Sequence, residues 1–128
     1  MCFLEETQPV IFGDGEQSRD FTYVENAVQA NLLACEGPNV SGKTFNVGTG
    51  HRFTLNQTLE LLAKISGKKL EAKYDAPRDG DIRDSQADIT QAREFLGYDP
   101  QVSFEEGLGR TFEWYRSTQI KVEAKTKE

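Results

Sequence analysis

The chain has 128 residues, of which 37% are hydrophobic and 28% charged, and a net charge of -6. That length suits one domain, and the acidic balance argues against non-specific nucleic-acid binding, which needs a basic footprint. No apolar run approaches the ~20 residues that cross a bilayer. The opening MCFLEETQPV lacks the basic and apolar regions of a signal peptide, so a cytoplasmic location is expected.

Residues 3–6 read as the end of a helix, broken by Pro9. Val10-Ile11-Phe12 reads as a short strand closed by the turn Gly13-Asp14-Gly15. Phe21, Tyr23 and Val24 suggest a second short extended piece. A helix is predicted over residues 25–36, where Val28, Leu32 and Cys35 recur at helical spacing beside a small-residue set of Ala27, Ala30 and Ala34. Gly37-Pro38-Asn39 stops it. Residues 44–47 are a strand candidate. Thr54 and Gln57 form a capping box that opens a helix with Leu55, Leu59, Leu62 and Ile65 on its apolar face, ended by Gly67. Residues 70–74 alternate Leu70, Ala72 and Tyr74 inward against Glu71 and Lys73 outward. A polar loop follows over residues 76–88. Asp88 caps a short helix over 89–96, closed by Gly97. Ser103 and Glu106 suggest a second capping box, starting a final helix with Phe104, Leu108, Phe112 and Tyr115 on one face. From residue 118 the sequence lacks a core face and reads as a flexible tail, leaving 1–117 as the ordered domain. Strands alternating with helices give an α/β class.

Several short motifs are discounted. Residues 37–44, GPNVSGKT, match a phosphate-binding P-loop letter for letter. The P-loop needs a strand before it and a helix after it, and here the order is reversed. An ATP-binding protein is therefore the weakest of the competing readings. Asn39-Val40-Ser41 and Asn56-Gln57-Thr58 match glycosylation sequons without a secretory context. Cys2 and Cys35 match no metal or redox spacing and read as idle thiols. His51 has no nucleophilic partner in sequence.

Two polar clusters carry chemistry: residues 13–21, GDGEQSRDF, and residues 77–81, PRDGD. Each puts an arginine in a glycine-containing loop. The planar arginine fork suits bidentate phosphate contacts, and a nearby aspartate can accept hydrogen bonds from sugar hydroxyls. Surface ion pairing is the simpler use of the same residues.

The segments PVIFGDGEQSRDFTYVENAVQANLLA, KTFNVGTG and PRDGDIRDSQADITQAREFLGYDP, in that order, resemble the C-terminal part of extended short-chain dehydrogenase/reductase enzymes. These are NAD-dependent nucleotide-sugar epimerases and dehydratases, and within them the segments are most similar to UDP-N-acetylglucosamine 4-epimerases. The resemblance implies a substrate-binding portion that keeps the last helix and strand of the Rossmann sheet while most of the Rossmann domain is absent. It places Arg19 and Arg78 at the UDP diphosphate, Asp81 at the uridine ribose hydroxyls, and Ser85 at the hexose pocket. A small residue at Ser85 suggests an N-acetylated UDP-hexose.

Two hallmarks of that family are not in the sequence. One is the strand–GxxGxxG–helix fingerprint for NAD. The other is the catalytic Tyr-x-x-x-Lys: Tyr23, Tyr74, Tyr98 and Tyr115 are followed four residues on by Ala27, Arg78, Val102 and Gln119. The chain is therefore read as a UDP-sugar-binding fragment of an epimerase, expected neither to bind NAD nor to turn over alone. A dehydratase or decarboxylase fragment is one alternative. A non-catalytic UDP-sugar-binding or subunit-pairing module is another. Because the helix over 25–36 and the strand over 44–47 would lack their sheet, marginal stability, self-association or pairing with a full-length subunit is expected.

Overall fold

The computed structural model describes residues 2–69 and 71–125, with side-chain surroundings through residue 118. Helix α1 (Cys2–Glu5) leads into β1 (Val10–Phe12), and β2 (Ser18–Arg19) follows the glycine turn. Helix α2 spans Val24–Glu36. After an irregular stretch come β3 (Phe53–Thr54) and α3 (Leu55–Ser66), then β4 (Lys73–Asp75). Helices α4 (Thr90–Leu96) and α5 (Phe104–Lys125) close the chain.

Two small sheets organise these elements. β1 and β4 pair in parallel, Val10 opposite Lys73 and Phe12 opposite Asp75. β2 and β3 pair antiparallel, Ser18 opposite Thr54 and Arg19 opposite Phe53. On its other edge, Ser18 pairs with Asp84: its N–H donates to the Arg83 carbonyl (2.8 Å) and its carbonyl accepts from the Ser85 N–H (3.1 Å). β2 is thus flanked by two segments far away in sequence.

The main core lies between α2 and α4. Ala30, Ile89, Ala92, Leu96 and Tyr98 form it, with Leu33, Ala34, Val40, Phe45 and Ala87 around them. Ala30 and Ala92 are almost fully buried, so the small-residue face of α2 turns inward and lets the helices approach closely. The bulkier Val28 and Leu32 face out, 50% and 58% exposed. Cys35 is exposed and both cysteines are free. A second apolar layer stacks Phe21 on Phe104 (5.0 Å between centroids) and Phe53 on Phe104 (4.5 Å).

Two buried polar groups tie core to loops. The Asn26 carboxamide donates to the Val102 carbonyl (2.8 Å) and accepts from the Val102 N–H (3.0 Å). The Tyr98 hydroxyl donates to the Gly48 carbonyl (2.8 Å).

The helix caps follow local chemistry. Thr54 and Gln57 form the full reciprocal box, and Gly67 and Gly97 end α3 and α4 in the left-handed region. Asp88 accepts from both the backbone and hydroxyl of Thr90. Ser103 accepts from the Glu106 N–H, but the Glu106 carboxylate pairs with Arg110 (2.7 Å) instead of returning to the cap.

Several expectations are corrected. The extended piece expected at 21–24 forms its ladder at Ser18–Arg19 instead, because the segments that pair there are β3 and residues 83–85. Tyr74 is 51% exposed rather than inward, its hydroxyl reaching past the sheet to donate to Asn56 Oδ1 at the start of α3 (2.9 Å). Leu70 lies outside the described residues. Residues 44–47 have no ladder partner among the described residues, because a strand exists only by pairing. Helix α5 runs to Lys125, past the point where its sequence loses a core face. As the reversed order implied, no helix begins at Thr44, and Lys43 sits over the Phe95 ring at 3.8 Å, so the GPNVSGKT segment is a loop. Among the described residues no helix is long and apolar enough to cross a membrane.

Asn26→Ala would leave both backbone groups of Val102 buried and unpaired. It is expected to cost roughly 2–4 kcal/mol in urea unfolding. Asn31→Ala, which removes an exposed bond within the same helix, should cost less than about 0.5 kcal/mol.

Candidate functional site

The two arginine clusters converge because β2 carries one and the Ser18 pairing brings in the other. Arg19 Nη2 lies 2.7 Å from Asp81 Oδ1, with the two side chains 30% and 37% exposed. Arg19 Nη1 donates to the Ser18 carbonyl (2.7 Å), which sets the direction of the fork. Arg78, three residues before Asp81, sits over the Phe12 ring, its guanidinium carbon 3.9 Å from the centroid. Ser85 is fixed by its N–H to Ser18. It opens onto a polar cavity of about 340 Å³ lined also by Asn46, Gln86 and Asp20. The structure therefore brings Arg19 and Asp81 into contact. It places Arg78 on the aromatic residue that ends β1, and sets Ser85 within the segment that pairs with β2.

Residues that sequence reasoning did not single out hold this arrangement. Arg83 clamps Asp14 through both carboxylate oxygens (2.8 and 2.9 Å), tying the glycine turn to the loop after PRDGD. The Glu16 N–H and then Arg83 hold the Asp14 carboxyl below its ordinary range. Ser18 Oγ donates to Asp84 (2.5 Å). Gln17 is buried and its Nε2 donates to the Phe12 carbonyl (2.6 Å). Gly15 has a positive φ of 77° and packs against Asn56, where a Cβ would overlap the carboxamide.

Asp20 is the most connected of these. Its Oδ1 accepts from the Thr49 N–H (2.9 Å) and hydroxyl (2.7 Å). Its Oδ2 accepts from the Gly50 N–H (3.0 Å) and the Ala87 N–H (3.3 Å). A Cβ at Gly48 would sit 2.6 Å from that oxygen, so the loop can close only on a glycine. Burial pushes the Asp20 carboxyl up, but the donors from Thr49, Gly50 and Ala87 outweigh it and the net shift is downward.

The glycine turns do not fit a dinucleotide cradle. β1 runs through Gly13–Gly15 into a strand rather than a helix, and the amides of Thr49 and Gly50 already serve Asp20. Among the described residues no cluster could hold a metal ion.

The GDP-mannose 4,6 dehydratase family model matches residues 2–111. A UDP-glucose 4-epimerase of Mycolicibacterium smegmatis is 41% identical over 107 residues, which cover 84% of this chain and 34% of the relative. UDP-glucuronic acid decarboxylase 1 of Xenopus tropicalis is 32% identical over 113 residues, 88% of this chain and 26% of the relative. Among solved structures, a UDP-glucose 4-epimerase of Thermotoga maritima with UDP-glucose superposes with a TM-score of 0.87. It is 47% identical and is matched over 92% of this chain and 38% of its own. A Bacillus cereus UDP-glucuronic acid 4-epimerase, solved with UDP-glucuronic acid and NAD, has a TM-score of 0.87 at 31% identity, over 91% and 38%. A UDP-N-acetylglucosamine 4-epimerase of Methanobrevibacter ruminantium, solved with UDP-N-acetylmuramic acid, has 0.82 at 36%, over 91% and 38%. The chain spans about a third of the length of most of these proteins.

Because the Asp20 carboxyl titrates lower in the folded chain, its bonds stabilise fully above the unfolded value of about 3.9. They are lost as pH falls through the lower folded value. Melting temperature should therefore drop below about pH 4, and Asp20→Asn should flatten that drop. Asp14, Asp88 and Glu6 shift in the same direction and leave a residual slope. A pH profile of melting unchanged by the substitution would contradict the linkage.

Proposed function

The chain belongs to the GDP-mannose 4,6 dehydratase family, and from that premise we propose that it grips the UDP portion of a nucleotide sugar. The observation that carries the reading is the meeting of Arg19 and Asp81 at 2.7 Å, with Arg78 three residues away on Phe12. Two guanidinium groups, Arg19 with its fork set by Ser18 and Asp81 and Arg78 held over Phe12, suit the two phosphates of a nucleoside diphosphate. The carboxylate beside them suits a ribose diol. An exposed ion pair of this kind contributes only about 0–1 kcal/mol to stability, so the cluster has little value to the fold and its chemistry is available for a ligand.

Ser85 is our choice for the sugar side. Its short side chain borders the 340 Å³ polar cavity and leaves room for an N-acetyl group. On this reading the ligand is a UDP-N-acetylhexosamine, and the parent enzyme is a 4-epimerase. The parent enzyme is read as using NAD. The residues described here offer it no cradle, so we assign no redox step to them. The decarboxylase relative makes a decarboxylase the alternative outcome for the same grip, decided by residues other than these.

A second reading rests on the outer face of α2. Val24, Val28 and Leu32 are 65%, 50% and 58% exposed and follow one another at four-residue spacing. Val47, in the unpaired stretch, is 39% exposed. Such a stripe suits self-association or pairing with a larger subunit.

Arg19→Ala and Arg78→Ala are each expected to weaken UDP binding about 10- to 100-fold in calorimetry, the value of a charge-assisted contact, while shifting the melting temperature little. UDP-N-acetylglucosamine should raise the melting temperature and ATP should not. A melt blind to the UDP-sugar overturns the reading. Ser85→Tyr should weaken UDP-N-acetylglucosamine at least about tenfold relative to UDP-glucose; equal affinities for both sugars in that variant would remove Ser85 from the specificity role. For the second reading, sedimentation should show concentration-dependent association that Leu32→Glu abolishes.

A further inference from the structure

We propose that Asp20 is a positioning residue for the sugar side of the site: its carboxylate holds the wall of the cavity beside Ser85. This rests on the UDP-sugar reading and adds a residue that neither the arginine clusters nor the family resemblance singled out.

The two halves of the site are supported differently. Arg19 takes its direction from the Ser18 carbonyl and Asp81. Neither contact involves Asp20. The cavity wall depends on Asp20 directly. Its Oδ2 binds the N–H of Ala87, two residues after Ser85, and the N–H of Gly50. Its Oδ1 binds Thr49, which is 6% exposed. The Gln86 side chain donates to the Gly50 carbonyl, so both strands of the wall are latched to each other and to the same carboxylate. The absence of room for a Cβ at Gly48 keeps this seam closed against Asp20 and Ala87. On the opposite side, the Tyr98 hydroxyl fixes the Gly48 carbonyl to the α2–α4 core.

Asp20 and Tyr98 thus anchor one loop from two sides, and only Asp20 also reaches the Ser85 segment. That difference separates a positioning role from a merely structural one. Loss of Tyr98's bond weakens the fold and leaves the wall latched at Ala87. Loss of the Asp20 carboxylate frees the Ala87 N–H and the Thr49–Gly50 amides, which loosens the wall on both sides of the cavity. Ser85 then keeps only its backbone bond to Ser18, while Arg19 and Asp81 keep their partners.

The test measures affinities of the 128-residue chain for UDP and for UDP-N-acetylglucosamine by calorimetry, well below the melting transition. The variants are Asp20→Asn, Thr49→Val and Tyr98→Phe. In the unsubstituted chain the sugar nucleotide should bind more tightly than UDP. Asp20→Asn should erase about tenfold of that preference and change UDP affinity less than about twofold. Thr49→Val, which removes one donor to the carboxylate, should erase about threefold. Tyr98→Phe should lower the melting temperature and keep the preference. The inference is overturned if Asp20→Asn retains the preference, if it weakens both ligands in parallel, or if Tyr98→Phe erases the preference equally. Should Asp20→Asn fail to fold, Thr49→Val decides by the same ratio. An unsubstituted chain that binds UDP but shows no preference overturns this inference alone. One that binds neither ligand overturns the UDP-sugar reading itself.

Discussion

Three consecutive residues, Ser18, Arg19 and Asp20, hold together parts of the chain that have no other reason to meet. Ser18 pairs through its backbone with Thr54 on one side and with residues 83–85 on the other. Arg19 reaches Asp81. Asp20 collects four donors from Thr49, Gly50 and Ala87. A two-residue strand is weak by itself. Here it is the point where backbone pairing, a carboxylate cage and an ion pair coincide, so each restrains the others. The polar loop over 76–88 is docked along its second half by this segment together with the Arg83–Asp14 clamp and the Gln86 bond to Gly50.

The forces in the two halves of the chain differ in kind. Around α2 and α4 the fold rests on close apolar packing, with alanines at the crossing and a buried tyrosine and asparagine satisfying loop backbone. Around the arginine clusters it rests on hydrogen bonds and ion pairs, most of them partly exposed. Exposed pairs add little net stability, and the Asp20 cage is the exception because three of its donors are backbone N–H groups with few alternatives. Rigidity at the site therefore comes from geometry more than from burial. Helix α3 shows a third regime. Its cap is fully formed, yet none of its side chains is fully buried, because its leucine face meets α5 across a cavity of about 400 Å³ rather than a filled core.

What could be read from the sequence follows from how local each determinant is. The Thr54–Gln57 box and the glycines ending α3 and α4 act within a few residues, and their spacing alone identifies them. The Ser103–Glu106 box has the same spacing but forms only halfway, since Arg110 one turn further on competes for the carboxylate. For α2 the pattern offered two apolar sets. Which one turns inward depends on Ala92, sixty residues away, whose lack of bulk lets the alanine face approach. Residues 44–47 have the composition of a strand and no partner, because β propensity describes fitness for a sheet and does not create one. Arg19 and Asp81 were accessible through resemblance, but their contact was not. Asp20, Asp14 and Arg83 are harder to read: the Glu16 N–H beside Asp14 is local, but the partners that make the cage and the clamp lie tens of residues off, and nothing nearby announces them.

The separations involved also bear on how the chain folds. The Arg19–Asp81, Ser18–Asp84, Ala87–Asp20 and Arg83–Asp14 contacts join residues 62 to 69 positions apart. Contacts of such high order form late, because the entropy of closing the intervening chain is lost before any of them is gained. The α2–α4 crossing, Ala30 against Ala92, closes a loop of similar length, so only the helices and their local caps can form ahead of all these closures. A molecule caught before them has its helices, but neither the α2–α4 core nor the arginine–carboxylate cluster. The arginine–carboxylate cluster and the α2–α4 core thus carry the same kind of closure cost, and neither can be assembled from neighbouring residues alone.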